Sequence, residues 1–145
     1  MWATLASTQW DNYSTADGLF RLMQFGTANM ALLDGLDAAL DFHLRIGTDR
    51  IEKRIVGLAD RLREGLQTIK GATIFSPTHP AMAGAIVTYG LSGVGGPELM
   101  DQLWARKKIR VRAQDAKLVR QSVHLYNSPE EIDATLEVAR ALVKR

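Results

Sequence analysis

From Met30 onward the apolar positions recur at helical spacing. Leu32, Leu33, Leu36, Ala39 and Leu40 gather on one side, Asp34, Asp37 and Asp41 occupy another, and Gly47 closes the run. Thr48-Asp49 then caps a second helix, in which Ile51, Ile55, Leu58, Leu62, Leu66 and Ile69 step by 4, 3, 4, 4 and 3 residues and Lys70-Gly71 supplies the stop. Gly57 and Gly65 inside this helix each cost about 1 kcal/mol relative to Ala, which predicts close packing of a neighbour at both. Ser76-Pro77-Thr78-His79-Pro80 reads as a loop, and Ala85 to Tyr89 is a short β-branched run suited to a buried strand.

Gly93-Val94-Gly95-Gly96 follows as a flexible turn. It lacks the GK[ST] ending of a phosphate loop and the G-x-G-x-x-G spacing, so it reads as a plain strand-to-helix connection. Pro97 suits a first helical turn, Leu99, Leu103 and Trp104 make one face, and Arg106-Lys107-Lys108 ends a helix of about three turns. Ile109-Arg110-Val111-Arg112 alternates strictly, as does the stretch around Leu118 to Leu125, with residues 113–117 as a hairpin loop. Ser128-Pro129-Glu130-Glu131 is a capping box that opens a last helix with Ile132, Leu136, Ala139 and Val143 in register.

The order helix, helix, strand, helix, strand, strand, helix predicts a two-layer α+β domain, a small, mainly antiparallel sheet covered by helices on one face. Residues 1–29 carry no sustained period, yet they hold Trp2, Trp10, Phe20 and Phe25. Large apolar groups in an unpatterned segment predict packing against another surface. The expected division is therefore 1–29 as an irregular lead segment and 30–145 as the domain.

Composition narrows the chemistry. A chain of 145 residues, 46% hydrophobic and 23% charged, matches one soluble globular domain, and the absence of Cys removes disulfides, thiolate metal sites and a cysteine nucleophile. No apolar run approaches the roughly 20 residues of a membrane span, so the expected address is cytoplasmic with no membrane partner. His43, His79 and His124 share no ligand spacing with one another or with carboxylates, so no metal site is expected. The aspartates of the first helix read as a solvated face. No nucleophile elbow of the G-x-S-x-G type occurs, and no catalytic residue is assigned.

Charge is uneven. Between residues 106 and 120 the seven cations Arg106, Lys107, Lys108, Arg110, Arg112, Lys117 and Arg120 face a lone Asp115, a local balance of +6 in a chain of net charge +2. This stretch supports a non-catalytic anion- or nucleic-acid-binding module as the alternative function, with salt-dependent affinity. Only Trp104 lies near it and no aromatics interleave to stack bases, so nucleic acid is the poorer partner. Arg120 stands out because an arginine inside an apolar strand needs an anionic partner. Its planar fork suits a bidentate carboxylate, supplied by a ligand or by a helix of the same chain.

The string R-x-S-x-H-x-Y-N-S-x-E-E-I-D from Arg120 to Asp133, with Gly26-Thr27-Ala28-Asn29 before a helix and Ile109-Arg110-Val111-Arg112 before a loop, resembles the C-terminal part of class V aminotransferase-like enzymes. These are the pyridoxal-phosphate proteins of the isopenicillin N epimerase, cysteine desulfurase and selenocysteine lyase group. The resemblance runs from about Phe20 to the C-terminus. It implies the small C-terminal domain of the fold-type I pyridoxal-phosphate-dependent transferase fold, in an isopenicillin N epimerase-like transferase or isomerase that acts on an amino acid as a homodimer. It also implies that Arg120 binds the substrate α-carboxylate and that Gly26 and Thr27 contact the cofactor phosphate across the dimer. Departures accompany these matches. The desulfurase cysteine is missing, and Gln24 stands where the family has an acidic residue. Lys53, Lys70, Lys107, Lys108, Lys117 and Lys144 match no Schiff-base motif. The resemblance thus implies catalysis by a parent enzyme, with pyridoxal phosphate not held stably by this chain alone.

Overall fold

The computed structural model describes residues 29–143. The chain divides into two compact units, one ending at Ile46 and the other running from Gly47. In the first, helix α1 (Met30–Ile46) starts where the sequence places it, with the Asn29 side chain and carbonyl accepting from the Leu32 amide. None of its residues is buried, and Leu32, Leu36, Leu40, Phe42 and Leu44 are all more than half exposed. The lead segment with its aromatic residues lies outside the described residues.

The second unit runs α2 (Thr48–Gln67), β1 (Ala72–Ile74), β2 (Ile86–Leu91), α3 (Gly96–Lys107), β3 (Arg112–Ala113), β4 (Leu118–Ser122) and α4 (Pro129–Val143). The strands form one antiparallel sheet in the order β1-β2-β4-β3. Val87, Tyr89 and Leu91 of β2 and Val119 of β4 point to the helices, where Leu58, Leu62, Leu66, Leu99, Leu103, Ile132, Leu136 and Leu142 complete the core. Alternation places Thr88, Leu118, Arg120 and Ser122 on the other face. This is the two-layer α+β arrangement that the patterning predicts.

Several details differ from the sequence reading. Strand β1 was not expected; three residues are too few to show a period, and only pairing of Ala72–Ile74 with Tyr89–Leu91 creates it. Helix α2 starts on Gly47, with no side-chain cap, because Thr48 is already helical. It ends at Gln67, and the left-handed Gly71 (φ 92°) belongs to the turn into β1. The β3–β4 loop is one residue shorter than expected, so Ala113 pairs with Val119 and Arg112 stands opposite Arg120. Asp115 tightens that loop by accepting from the Lys117 and Leu118 amides at 2.7 and 2.8 Å. The capping box of α4 closes in both directions: Ser128 N donates to Glu131 Oε2 at 3.0 Å and Glu131 N to Ser128 Oγ at 3.3 Å.

The two helix glycines separate. A Cβ on Gly65 would collide with Leu136 Cδ1, so α4 does press against α2 there, whereas nothing lies within 4 Å of one on Gly57. Packing explains only Gly65. The sharpest restriction is Gly96, whose Cβ would meet the carbonyl oxygens of Asp115 and Leu118, both at 2.6 Å. Gly96→Ala is therefore expected to destabilise the chain by about 1 to 3 kcal/mol through overpacking against backbone. Gly57→Ala is expected to stabilise it by up to about 1 kcal/mol. Urea unfolding of the two variants checks the opposite signs.

Candidate functional site

Strand β4 carries the site because its alternation splits the R-x-S string between two environments. Inward, the Tyr89 hydroxyl donates to Gln121 Oε1 at 3.2 Å, Gln121 Nε2 donates to Thr135 Oγ1 at 3.1 Å, and Thr135 donates to the Glu131 carbonyl. Burial pushes the Tyr89 phenol well above its ordinary range, so this chain of hydrogen bonds stays neutral and structural. Outward, Arg120 sits half-buried between its ladder partners Thr88 and Arg112.

Arg120 shares a cavity of about 480 Å³ with Met100, Arg110, Val111, Arg112 and Ser122. Its Nε is buried and makes no hydrogen bond. Among the described residues no carboxylate lies within 4 Å of Arg110, Arg112 or Arg120. A like-charged pair directly opposed across a ladder is unfavourable without a counter-charge. Arg110 is held by its stack on Trp104, 4.7 Å from the ring centroid, with Lys108 Nζ at 5.4 Å from the same ring. The left-handed Lys108 (φ 56°) ends α3 and turns the chain so that Arg110 reaches back over Trp104.

Other candidates resolve into structure. The glycine turn does not cradle phosphate: the Gly96 amide is spent on the Ala116 carbonyl at 3.0 Å. A larger hollow of about 700 Å³, lined by Thr73, Phe75, Gly90, Gly95 and Lys117, contains Asp115, whose carboxylate is already used by its own loop. His79 Nδ1 accepts from the Ala81 amide, and His124 stacks on Tyr126 at 4.4 Å. Among the described residues no three metal-ligating side chains come together, and no helix is long and apolar enough to cross a membrane. Gly26 and Thr27 lie outside the described residues.

Sequence reasoning missed a buried arginine. Arg63 is 4% exposed; it pairs with Asp60 at 2.8 Å and donates to the Gly84 carbonyl, tying α2 to the loop before β2. Its helix position, one residue after Leu62, gave no sign of this, because the Gly84 carbonyl is supplied by tertiary structure. Across the α2–α4 seam Arg61 grips Asp133 through both oxygens at 2.8 and 2.7 Å, and this contact holds the Asp133 carboxyl below its usual range.

The aminotransferase class-V family model matches residues 3–135. The chain belongs to the class-V family. Among curated proteins, isopenicillin N epimerase of Amycolatopsis lactamdurans is 30% identical over 142 residues, covering 95% of this chain and 36% of that protein. A probable cysteine desulfurase of Xylella fastidiosa strain Temecula1 is 34% identical over 133 residues, covering 81% of this chain and 31% of that protein. The apo cysteine desulfurase of Thermococcus onnurineus superposes with a TM-score of 0.75 at 27% identity, over 86% of this chain and 34% of that one. This class-V chain spans about a third of the length of the relatives it matches. Its small antiparallel α+β unit is part of the pyridoxal-phosphate-dependent transferase fold.

If Arg120 belonged to an internal ion pair, its removal would leave a carboxylate unpaired at a cost of about 3 to 5 kcal/mol. With no such partner among the described residues, Arg120→Gln is expected to change unfolding free energy by less than about 1 kcal/mol. Arg63→Ala, which removes a packed stem and its hydrogen bonds, is expected to cost about 2 kcal/mol or more. Denaturant unfolding of both variants ranks them, and the reverse order would make Arg120 a structural residue.

Proposed function

We propose that this chain is the C-terminal small domain of a pyridoxal-phosphate enzyme, isopenicillin N epimerase-like, that acts on an amino acid. In this reading Arg120 receives the substrate α-carboxylate, and Gly26 and Thr27 contact the cofactor phosphate of the partner subunit in a homodimer. The observation that carries the reading is the half-buried Arg120, which lines a cavity with no carboxylate in its wall and whose inaccessible Nε has no hydrogen-bond partner among the described residues. A guanidinium in that setting is stabilised by an incoming planar anion, and its fork fixes the plane of the carboxylate as well as its position. Holding the carboxylate orients the bonds at the α-carbon, which is where pyridoxal phosphate supplies an electron sink when it is bound.

In this reading the cofactor end of the site lies outside the described residues. No lysine lines the Arg120 cavity, Lys107 is taken by Glu137 at 2.7 Å, and Lys108 lies over Trp104. They fit the substrate end of such a site and not the cofactor end. The role of this chain is to bind and orient, and the chemical step belongs to the parent enzyme. An anion- or nucleic-acid-binding module built on residues 106–120 is the second reading. The aromatic ring next to that stretch, Trp104, is approached by two cations, which leaves little surface for a base to stack on.

Two measurements test the proposal. Borohydride reduction of the chain mixed with pyridoxal phosphate is expected to give scattered substoichiometric labelling; one fully labelled lysine would refute the division of labour. In the complete parent enzyme, Arg120→Ala is expected to lower kcat/KM by an amount on the order of 2 to 5 kcal/mol, and Arg120→Lys to recover little of it. A lysine variant with near-normal kcat/KM would show that the fork does not hold the carboxylate. Tight, salt-resistant oligonucleotide binding by the chain would favour the second reading instead.

A further inference from the structure

The α-carboxylate role leaves one charge unexplained. Arg112 is the direct ladder partner of Arg120, lines the same cavity, and has no carboxylate within 4 Å among the described residues. The Cα atoms of residues directly opposite on antiparallel strands lie about 4.5 to 5.5 Å apart, so the two side chains leave the same outer face of the sheet next to one another. A single carboxylate taken bidentately by Arg120 satisfies one fork and leaves the facing guanidinium of the exposed Arg112 to solvent. Arg110 does not compete for the same anion in the same way, because Trp104 already holds it. Ser122, two residues beyond Arg120 on the same face, adds a hydroxyl to the cavity wall. The remaining wall residues, Met100 and Val111, are apolar and suit a short aliphatic spacer.

We propose that the cavity selects an amino acid bearing a second acidic group, with its α-carboxylate on Arg120 and its side-chain carboxylate on Arg112. This rests on the reading of Arg120 as the α-carboxylate anchor and adds the substrate class. Two carboxylates joined by a few methylene groups neutralise both forks at once and remove the like-charge repulsion across the ladder. A neutral side chain of equal length does neither. Arg112 is then a specificity-determining residue. Its loss is expected to erase the preference for acidic side chains.

The test uses the whole 145-residue chain, labelled with 15N, and follows the arginine Nε–Hε resonances at constant ionic strength. The probes are L-glutamate, L-2-aminoadipate, L-norvaline and inorganic phosphate. At least one of the two acidic amino acids is expected to bind about tenfold more tightly than norvaline, which corresponds to about 1.4 kcal/mol. In Arg112→Gln that ratio is expected to fall to about one, and in Arg112→Lys to fall partway. In Arg120→Gln all amino-acid binding is expected to disappear. Equal affinity of acidic and neutral amino acids in the unaltered chain would overturn the selection while leaving the Arg120 reading intact; this comparison needs no variant to fold. A preference that survives Arg112→Gln would also overturn it. Phosphate binding as tight as the acidic amino acids, with the same dependence on Arg112, would mark a general dianion site and overturn the assignment. Failure of every amino acid to shift the Arg120 resonance would remove the α-carboxylate reading itself.

Discussion

The contact on which the site's geometry depends is the meeting of the glycine turn with the β3–β4 loop. Gly96 comes so close to the Asp115 and Leu118 carbonyls that no side chain fits, and its amide is bonded to Ala116. Gly90 is held nearly as tightly, with a would-be Cβ 2.9 Å from the Lys117 carbonyl. These approaches fix the loop in place, and the loop fixes the register of β3 on β4. Shifting that register by one residue would turn Arg112 to the other face of the sheet. The glycines that invite a phosphate-loop reading thus act at a distance, by holding the hairpin that sets two arginines opposite one another.

Much of this was legible in the residues. The period of α2, the capping box at Ser128 and the β-branched run at Ile86 are local signals, and each element formed where its signal lies. Arg120 was legible for a similar reason, since a charged residue within an apolar strand conflicts with its surroundings unless something answers the charge. What escaped was set by partners distant in sequence. Strand β1 exists because β2 offers it a ladder, Gly65 is required because Leu136 arrives there while Gly57 meets nothing, and Arg112 acquires its meaning from a register that one loop residue decides.

The buried Arg63 and the half-buried Arg120 serve opposite ends. Arg63 is enclosed by its own chain, with Asp60 and the Gly84 carbonyl as partners, and its charge is spent on stability. Arg120 has backbone neighbours, a cavity and another guanidinium, and its charge is left available. Sequence position distinguishes them poorly; the inventory of acceptors around each does so directly.

The two outer strands have a consequence for assembly. β1 is three residues long and β3 only two, so the sheet ends on both sides in edges too short to template a further strand. Copies of this unit therefore gain little by extending one another's sheets, and amyloid-like stacking through these edges is blunted by brevity alone. Among the described residues, the surfaces left for association are faces and helices, where side-chain shape and charge discriminate between partners in a way that a bare row of backbone amides does not.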